Sequence, residues 1–588
     1  MSDLESNGLQ MSLGRFGEAV AARLRRWEAE DFGRRLWAKD RTLWTPEPVP
    51  ELTDRMGWLE LPEALLGTRQ GELDALERFA EEARTEEVGT VFVLGMGGSS
   101  LAPEVFARTF GGRPGFPVVR VLDTTHPDAV EAASRGVDPA KTLFLVSSKS
   151  GGTIETLSFF RYFWKLCADR LSADRVGRRF VAITDPGTSL ERLARERGFR
   201  AVFNAPEEVG GRYSAFTNFG LVPAALAGVD LRGLLERGRA MAHLCGQPCG
   251  PEVPAAQNPG LALGAALGEL ALAGRDKVTF VTTPSLESFP DWIEQLVAES
   301  TGKHGKGIVP VVGERPGRAE AYGRDRVFAA LLLDEDREGA EALEARLAGF
   351  EAAGHPVLRF RCADRLDLGR EIFRWELATA AAGAVLGINP FDQPDVQLAK
   401  ELAARAMKQG KAEGTRDAAA GETVDSLGVS AVAVALGTWI EGIAPGDYIG
   451  LQAYLPPGGE ELRIIQAALR DWTRLAVTAG YGPRFLHSTG QLHKGGPGRC
   501  RFLQLVSEPH AKVPVPETDY DFASLIRAQA DGDRQALEQR DRKVLRLQLG
   551  RDTRRGLEVL GEALGAGAHY AGEGDETLPP EVYERGRR

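Results

Sequence analysis

In the segment "DWIEQLVAESTGKHGKG", Gln295 and Glu299 lie four apart on a helical pattern that stops near Gly302. Residues four apart share a helix face, so the two side chains project together, one turn apart, and the glycine marks the helix end. A glutamate in that last turn faces the negative end of the helix dipole, a setting that suits a general base. Composition alone would make it an exposed helix-end carboxylate. In "EEVGGRYSAFTNFG", Arg212 follows two glycines in a loop. An arginine fixed there offers cationic donors to an anion; the alternative is a turn arginine in water. In "NPFDQPDVQLAKELA", Pro394 fits the first turn of a helix and puts Gln393 at its N-terminus. Lys400 follows two turns on, on roughly the same side, and faces either the site or solvent.

A second kind of chemistry is written in "SSKSGGTIET", Ser147 to Thr156. An apolar run precedes it and a helical pattern follows it. Helix N-termini expose unpaired N–H groups and partial positive charge. Ser148, Ser150 and Thr153 add hydroxyl donors, Gly151 and Gly152 permit close approach, and Lys149 adds a full charge. Together they form a seat for a phosphate dianion; a serine cluster that only caps the helix is the plainer alternative. The Walker pattern is absent. In "VFVLGMGGSSLAP", Gly98 and Ser99 lie in a tight turn that brings backbone and a hydroxyl close to a small ligand. The dinucleotide fingerprint would need glycine where Ser100 stands.

These segments need a scaffold that presents loops at strand ends. Short apolar runs, "TVFVLG", "PVVRVLD", "TLFLVSS", "RFVAITD" and "AVFNAP", alternate with helical patterns; a second series runs through "KVTFVTTPS", "GIVPVVG", "RVFAALLLD" and "PVLRFRC". This is the rhythm of α/β units, each a parallel sheet covered by helices. Ligands of such sheets bind beyond the C-terminal strand ends. The expected organisation is a helical N-terminal segment at 1–88, α/β units at 89–235 and 236–405, and a mixed C-terminal extension at 406–588. Within that extension "MKQGKAEGTRDAAAGETVD" reads as a solvated connection, and "ALEQRDRKVLRLQLGRDTRRGLEVLGEAL" as a charged helical face. The last twenty or so residues are weakly apolar and read as disordered.

At 588 residues the chain is long enough for about three or four domains. Hydrophobic residues make up 43% and charged residues 26%, which is ordinary for a globular protein. A net charge of −11 gives no basic field to draw in nucleic acid or an anionic membrane. The five cysteines are scattered, and the Cys245–Cys249 pair has no histidines beside it, so reduced thiols are expected rather than zinc. The N-terminus lacks the basic and apolar regions of a signal peptide. No apolar run reaches the roughly 18 residues of a membrane helix. A cytoplasmic protein is the expectation.

Taken together, "GMGGSSLAP", "SSKSGGTIET", "GGRYSAFTNFG", "EQLVAESTGK" and "GINPFDQPDVQLAK" occur in the order found in glucose-6-phosphate isomerases. The resemblance covers roughly residues 90 to 400 and is nearest to the isomerase half of bacterial fusions with transaldolase. It implies two sugar-isomerase (SIS) domains, a homodimer with shared active sites and a hexose 6-phosphate substrate. It implies that Ser148, Ser150 and Thr153, with Lys149, hold the 6-phosphate, and that Gly98 and Ser99 line the sugar site. Glu299 would move a proton between C2 and C1, Arg212 would stabilise the cis-enediolate, Gln295 and Gln393 would position the sugar, and Lys400 would assist ring opening. Such a reaction needs one base and cationic stabilisation of the developing oxyanion. With Arg and Lys supplying that charge, no metal or redox cofactor is expected.

The chain departs from the family at the ring-opening histidine. Family members carry it in a G-Q-H motif, whereas the comparable region here, "GERPGRAEAYGRDRVF", holds no histidine. In the tail segment "GYGPRFLHSTGQLHKGGP", His493 and His487 are the candidate substitutes, with His493 taken as the catalytic one. Two neighbouring functions share the phosphate seat: a dual glucose and mannose 6-phosphate isomerase, and a non-catalytic sugar-phosphate regulator. Glu299, Arg212 and Lys400 together argue against the second. Ser100 argues against a dinucleotide oxidoreductase.

Overall fold

A computed structural model of the chain describes residues 3–247, 249, 253–396, 398, 401–405, 407 and 422–565. Lys400, most of the solvated connection and the terminal segment read as disordered lie outside these residues.

The first α/β unit is a five-stranded parallel sheet in the order Val118–Leu122, Thr90–Leu94, Thr142–Ser147, Phe180–Thr184, Ala201–Asn204. The strands Thr142–Ser147 and Phe180–Thr184 are buried along their whole length. That is why they read as continuous apolar runs and not as alternating ones. Phe92, Phe144, Phe163 and Phe180 stack through one face of this sheet, with centroids 4.8 to 5.9 Å apart. Stacked rings with so little exposed surface fix the sheet, and hence the loops at its C-terminal edge.

The second unit is also parallel, ordered Val357–Cys362, Arg326–Leu333, Lys277–Thr282, Val309–Val311. The N-terminal segment begins with a hairpin, Asp3–Ser6 and Leu9–Ser12, that pairs antiparallel onto Val357–Cys362 and extends the second sheet. Pairing there covers an otherwise open edge. Helix Pro259–Leu272 is apolar on nearly every side because it lies inside the core, packed on helix Leu368–Leu386, which buries an Arg374–Glu371 ion pair beside its apolar residues. No helix among the described residues is long and apolar enough to cross a membrane.

The C-terminal region is more than a mixed extension. It forms a third parallel sheet, Ala476–Tyr481, Tyr448–Tyr454, Cys500–Val506, Lys543–Gln548, with its own apolar core. The tail expected to be one charged helical face is two helices, Phe522–Glu538 and Thr553–Ala563, separated by the edge strand Lys543–Gln548. The alternation "KVLRLQ" has the two-residue period of a strand, and Arg546 on it is held by Gln504 at 2.6 Å and Asp531 at 2.5 Å.

This third unit is bolted to both others. Against the second, Gln466 donates to the Val312 carbonyl at 3.1 Å and Arg326 to that of Leu475 at 2.8 Å. Beside these bonds, Glu314 lies buried between Arg326 and Arg470, 3.5 Å from each. Against the first, Thr125 donates to Gln529 at 2.7 Å, His126 meets Ser507 at 3.1 Å, and Phe159 stacks on Phe522 at 5.8 Å.

Candidate active site

The phosphate seat is built where strand Thr142–Ser147 ends and helix Ile154–Ala168 begins. Ser148 and Thr153 hydroxyls bond each other at 2.8 Å. Thr153 is the N-cap residue but its side chain caps nothing, so the first N–H groups of the helix remain for a ligand. Gly151 has φ +70°, and a Cβ there would lie 2.8 Å from the Thr188 side chain and 2.9 Å from the Leu190 nitrogen. The first glycine of the pair is therefore demanded by the turn, whereas a Cβ on Gly152 would meet nothing within 4 Å. Lys149 differs from expectation in its commitment: its ammonium is paired with Asp185 at 2.6 Å.

The glycine turn is also a packing junction. A Cβ on Gly98 would lie 2.0 Å from the Gly211 carbonyl. The turn is thus pressed against the loop that carries Arg212, with Ser99 buried at the junction.

Arg212 is buried and fully engaged. Its Nε donates to Ser300 at 2.7 Å, Nη1 to Gln393 at 3.2 Å, and Nη2 to the carbonyls of Pro390 at 2.7 Å and Asp392 at 3.0 Å. Glu299 lies 3.4 Å from Nη1. Helix Phe289–Thr301 ends at Gly302, so Glu299 is in its last turn and Gln295 one turn before it. Gln295 Nε2 donates to Glu299 at 3.1 Å and to the His487 carbonyl at 2.8 Å. The expected constellation of Gln295, Glu299, Arg212 and Gln393 is therefore one bonded network.

The two tail histidines separate. His493 packs within the third sheet's core against Tyr448, Phe485 and Phe502. Its ring nitrogens reach Gln452 and Thr478 at 3.5 Å each, and burial holds it far below the ordinary histidine range, hence neutral. The catalytic role expected for His493 is corrected on this ground: its ring faces its own unit's core, not the Glu299 network. His487 instead places Nε2 3.1 Å from Glu155, in the first turn of the phosphate-seat helix. Gln529 donates to the same carboxylate oxygen at 2.7 Å. With a carboxylate as partner, Nε2 is the nitrogen that donates. A cavity of about 400 Å³ joins the seat to this histidine, lined by Ser150, Thr153, Glu155, His487, Lys494 and Gln529 among others. Lys494 enters it already paired with Asp533 at 2.6 Å.

Similarity to known proteins decides what this arrangement belongs to. A family profile described as phosphoglucose isomerase matches residues 78–309. A glucose-6-phosphate isomerase of Rubrobacter xylanophilus is 30% identical over 420 residues, a match covering 64% of this chain and 92% of that relative. The chain belongs to the phosphoglucose isomerase family. A probable glucose-6-phosphate isomerase of Haloarcula marismortui is 31% identical over 363 residues, covering 56% of this chain and 80% of the relative. Among solved structures, a hypothetical protein from Thermus thermophilus is similar with a TM-score of 0.55 at 27% identity, covering 66% of this chain and 96% of that one. A glucose-6-phosphate isomerase from Chlamydia trachomatis shares the fold, with a TM-score of 0.54 at 18% identity over 71% of this chain and 91% of its own.

For a phosphoglucose isomerase family chain, sequence reasoning passed over three residues. Lys303 follows Glu299 by four positions, is wholly buried, and binds Asp392 and the Asn389 carbonyl, each at 2.6 Å. It pins the segment that carries Gln393, and burial pulls its ammonium down to about 7. Glu155 and Gln529, which orient His487, come from segments almost 400 residues apart, a pairing no local pattern reveals. Lys400, expected near Gln393, lies outside the described residues.

Proposed function

We propose that this chain interconverts glucose 6-phosphate and fructose 6-phosphate, with Glu299 moving a proton between C2 and C1. The observation that carries this reading is the buried Glu299 carboxylate, set between the Arg212 guanidinium at 3.4 Å and the Gln295 amide at 3.1 Å. Glu299 takes the proton from C2 of the open-chain aldose as the C1 carbonyl becomes an enediolate oxygen. It returns a proton to C1 as the C2 hydroxyl proton passes to O1 and the C2 carbonyl forms. Arg212 is held by four acceptors besides Glu299, so its charge is in place before negative charge develops, which is where such stabilisation is most effective.

Ser148, Ser150, Thr153 and the helix N-terminus hold the 6-phosphate, with Lys149 adding charge from its pair with Asp185. Gly98, Ser99, Gln295 and Gln393 shape the sugar site. Binding energy from the distant phosphate then orients the reacting carbons. His487, oriented by Glu155, is the ring-opening residue, and Lys400 assists as the family resemblance implies. That resemblance also supports a homodimer in the cytoplasm; light scattering on the purified chain tests the first.

Solvent-deuterium incorporation tests the central claim. Wild type in D₂O should label C2 or C1 of the recovered sugar phosphate. Glu299→Gln should lose labelling and turnover by about 10³-fold or more, with little change in fructose 6-phosphate affinity. Retained labelling in that variant would remove Glu299 from the role.

A further inference from the structure

A cavity of about 710 Å³ lies apart from the catalytic one and shares no lining residue with it. It opens between the turn Gly14–Phe16, which follows the N-terminal hairpin, and the loops leading into strands Lys277–Thr282, Arg326–Leu333 and Val357–Cys362. Three arginines line it: Arg15, Arg275 and Arg324. No carboxylate among the described residues forms an ion pair with any of them within 4.0 Å.

Arg275 is the informative one. It is more than nine-tenths buried, with 8% of its surface exposed, and its guanidinium donates only to neutral acceptors: the carbonyls of Arg326 and Gly354 and Nδ1 of His355, each at 3.2 Å. Burial first, then the neighbouring Arg15, destabilise its charge, with Arg324 adding to the repulsion and Asp325 opposing it. Arg15 and Arg275 both stack on the Phe16 ring, at 4.9 and 5.3 Å. Of the two carboxylates on the rim, Glu351 is bound to Arg359 at 2.6 Å and Glu320 is exposed. Buried cations are ordinarily paired, because an unpaired one is costly to desolvate. Among the described residues that partner is missing, and a like charge, Arg15, is held beside it on the same aromatic ring. The cavity is much larger than one phosphate group requires.

We propose that this cavity is a second anion site, distinct from the catalytic one, that takes a small compound bearing two or more linked phosphate groups. Arg275 is the floor contact, and the exposed Arg15 and Arg324 close on the outer phosphates. The shared chemistry is the diphosphate; a nucleotide and an inorganic polyphosphate both supply it.

The test is calorimetric titration of the full chain with pyrophosphate, ATP or orthophosphate, in saturating fructose 6-phosphate so that the catalytic seat is filled. Pyrophosphate or ATP should bind with Kd below about 1 mM at 150 mM salt, and orthophosphate at least about tenfold more weakly. Tighter binding of ATP assigns the nucleotide; equal binding assigns the bare polyphosphate. Arg15→Ala and Arg324→Ser, both at exposed positions, should each weaken binding about tenfold without changing basal turnover, and Arg275→Met should abolish it. The proposal fails if neither probe binds, or if the two exposed variants bind like wild type. It also fails if Arg15→Glu changes the mass of the particle in light scattering, since the face would then be an interface between copies.

Discussion

At the phosphate end of the catalytic groove, Ser150 is exposed, the Ser148 and Thr153 hydroxyls bond mainly each other, and Lys149 is already neutralised by Asp185. At the proton-transfer end, Glu299 and Arg212 are buried and Arg212 has five partners from two segments. The first end has groups free to turn toward a ligand. The second has groups that cannot turn at all. An anchor gains from many replaceable donors, whereas a charge that must meet a developing oxyanion gains from being fixed in advance. Removing groups should therefore be costly at one end and mild at the other.

Arg212→Met should break the contrast most severely. Loss of a fixed cation facing a developing charge lowers kcat by about 10²–10³-fold. It also frees the Pro390 and Asp392 carbonyls, so Gln393 loses its support. Steady-state kinetics with KM and kcat resolved checks this; a change confined to KM would mean Arg212 only binds ground-state sugar.

The tail histidines give the next largest effect and the sharpest internal control. His487→Gln should lower kcat on cyclic glucose 6-phosphate by about 10²-fold, the scale of one lost general acid–base group. The deficit should shrink when the open-chain form is not limiting, which exchange measured from the fructose side as a function of temperature can separate. His493→Phe should leave kcat near wild type while lowering Tm, since the ring is core between Phe485 and Phe502. Reversal of the two outcomes would restore His493 to the catalytic role.

Ser148→Ala combined with Thr153→Val should raise KM by about tenfold with kcat little changed, because helix N–H groups and the other donors remain. A fall in kcat as large as that of Arg212→Met would show that the seat does more than anchor.

The same contrast explains what could be read from the sequence. The seat was legible because it is local: strand, hydroxyls, glycines and helix follow one another within ten residues. Glu299 and Gln295 were legible because four-residue spacing on a helix is geometric. What could not be read was the third sheet and its use. Its edge strand "KVLRLQ" is embedded among charges that imitate a helix face. His487 and His493 sit six residues apart in one motif, yet a 3₁₀ turn at Arg484–His487 and a separate short helix at Gly490–Gly495 send them in different directions. Only tertiary packing chose between them, through Glu155 and Gln529. Lys303 was hidden by its type, since a buried lysine runs against composition.

The rigid end rests on the third unit behind it, and Glu294 reports on that support. It precedes Gln295 and is buried facing Ser488, whose hydroxyl donates to it at 3.4 Å; Asp291 and Arg484 are its charged neighbours. Burial, then Asp291, pushes its carboxyl up to about 8. A carboxyl raised in the folded state holds a proton that the unfolded chain releases, so between its ordinary value near 4.5 and about 8 stability falls as pH rises. Glu294→Gln keeps the shape and removes the titration. Its Tm should therefore match wild type near pH 4.5 and exceed it by a growing margin up to pH 8, followed by thermal circular dichroism. A margin that is constant across that range would mean Glu294 is charged or solvated in the folded chain, and that the wall behind Gln295 is looser than the catalytic network in front of it.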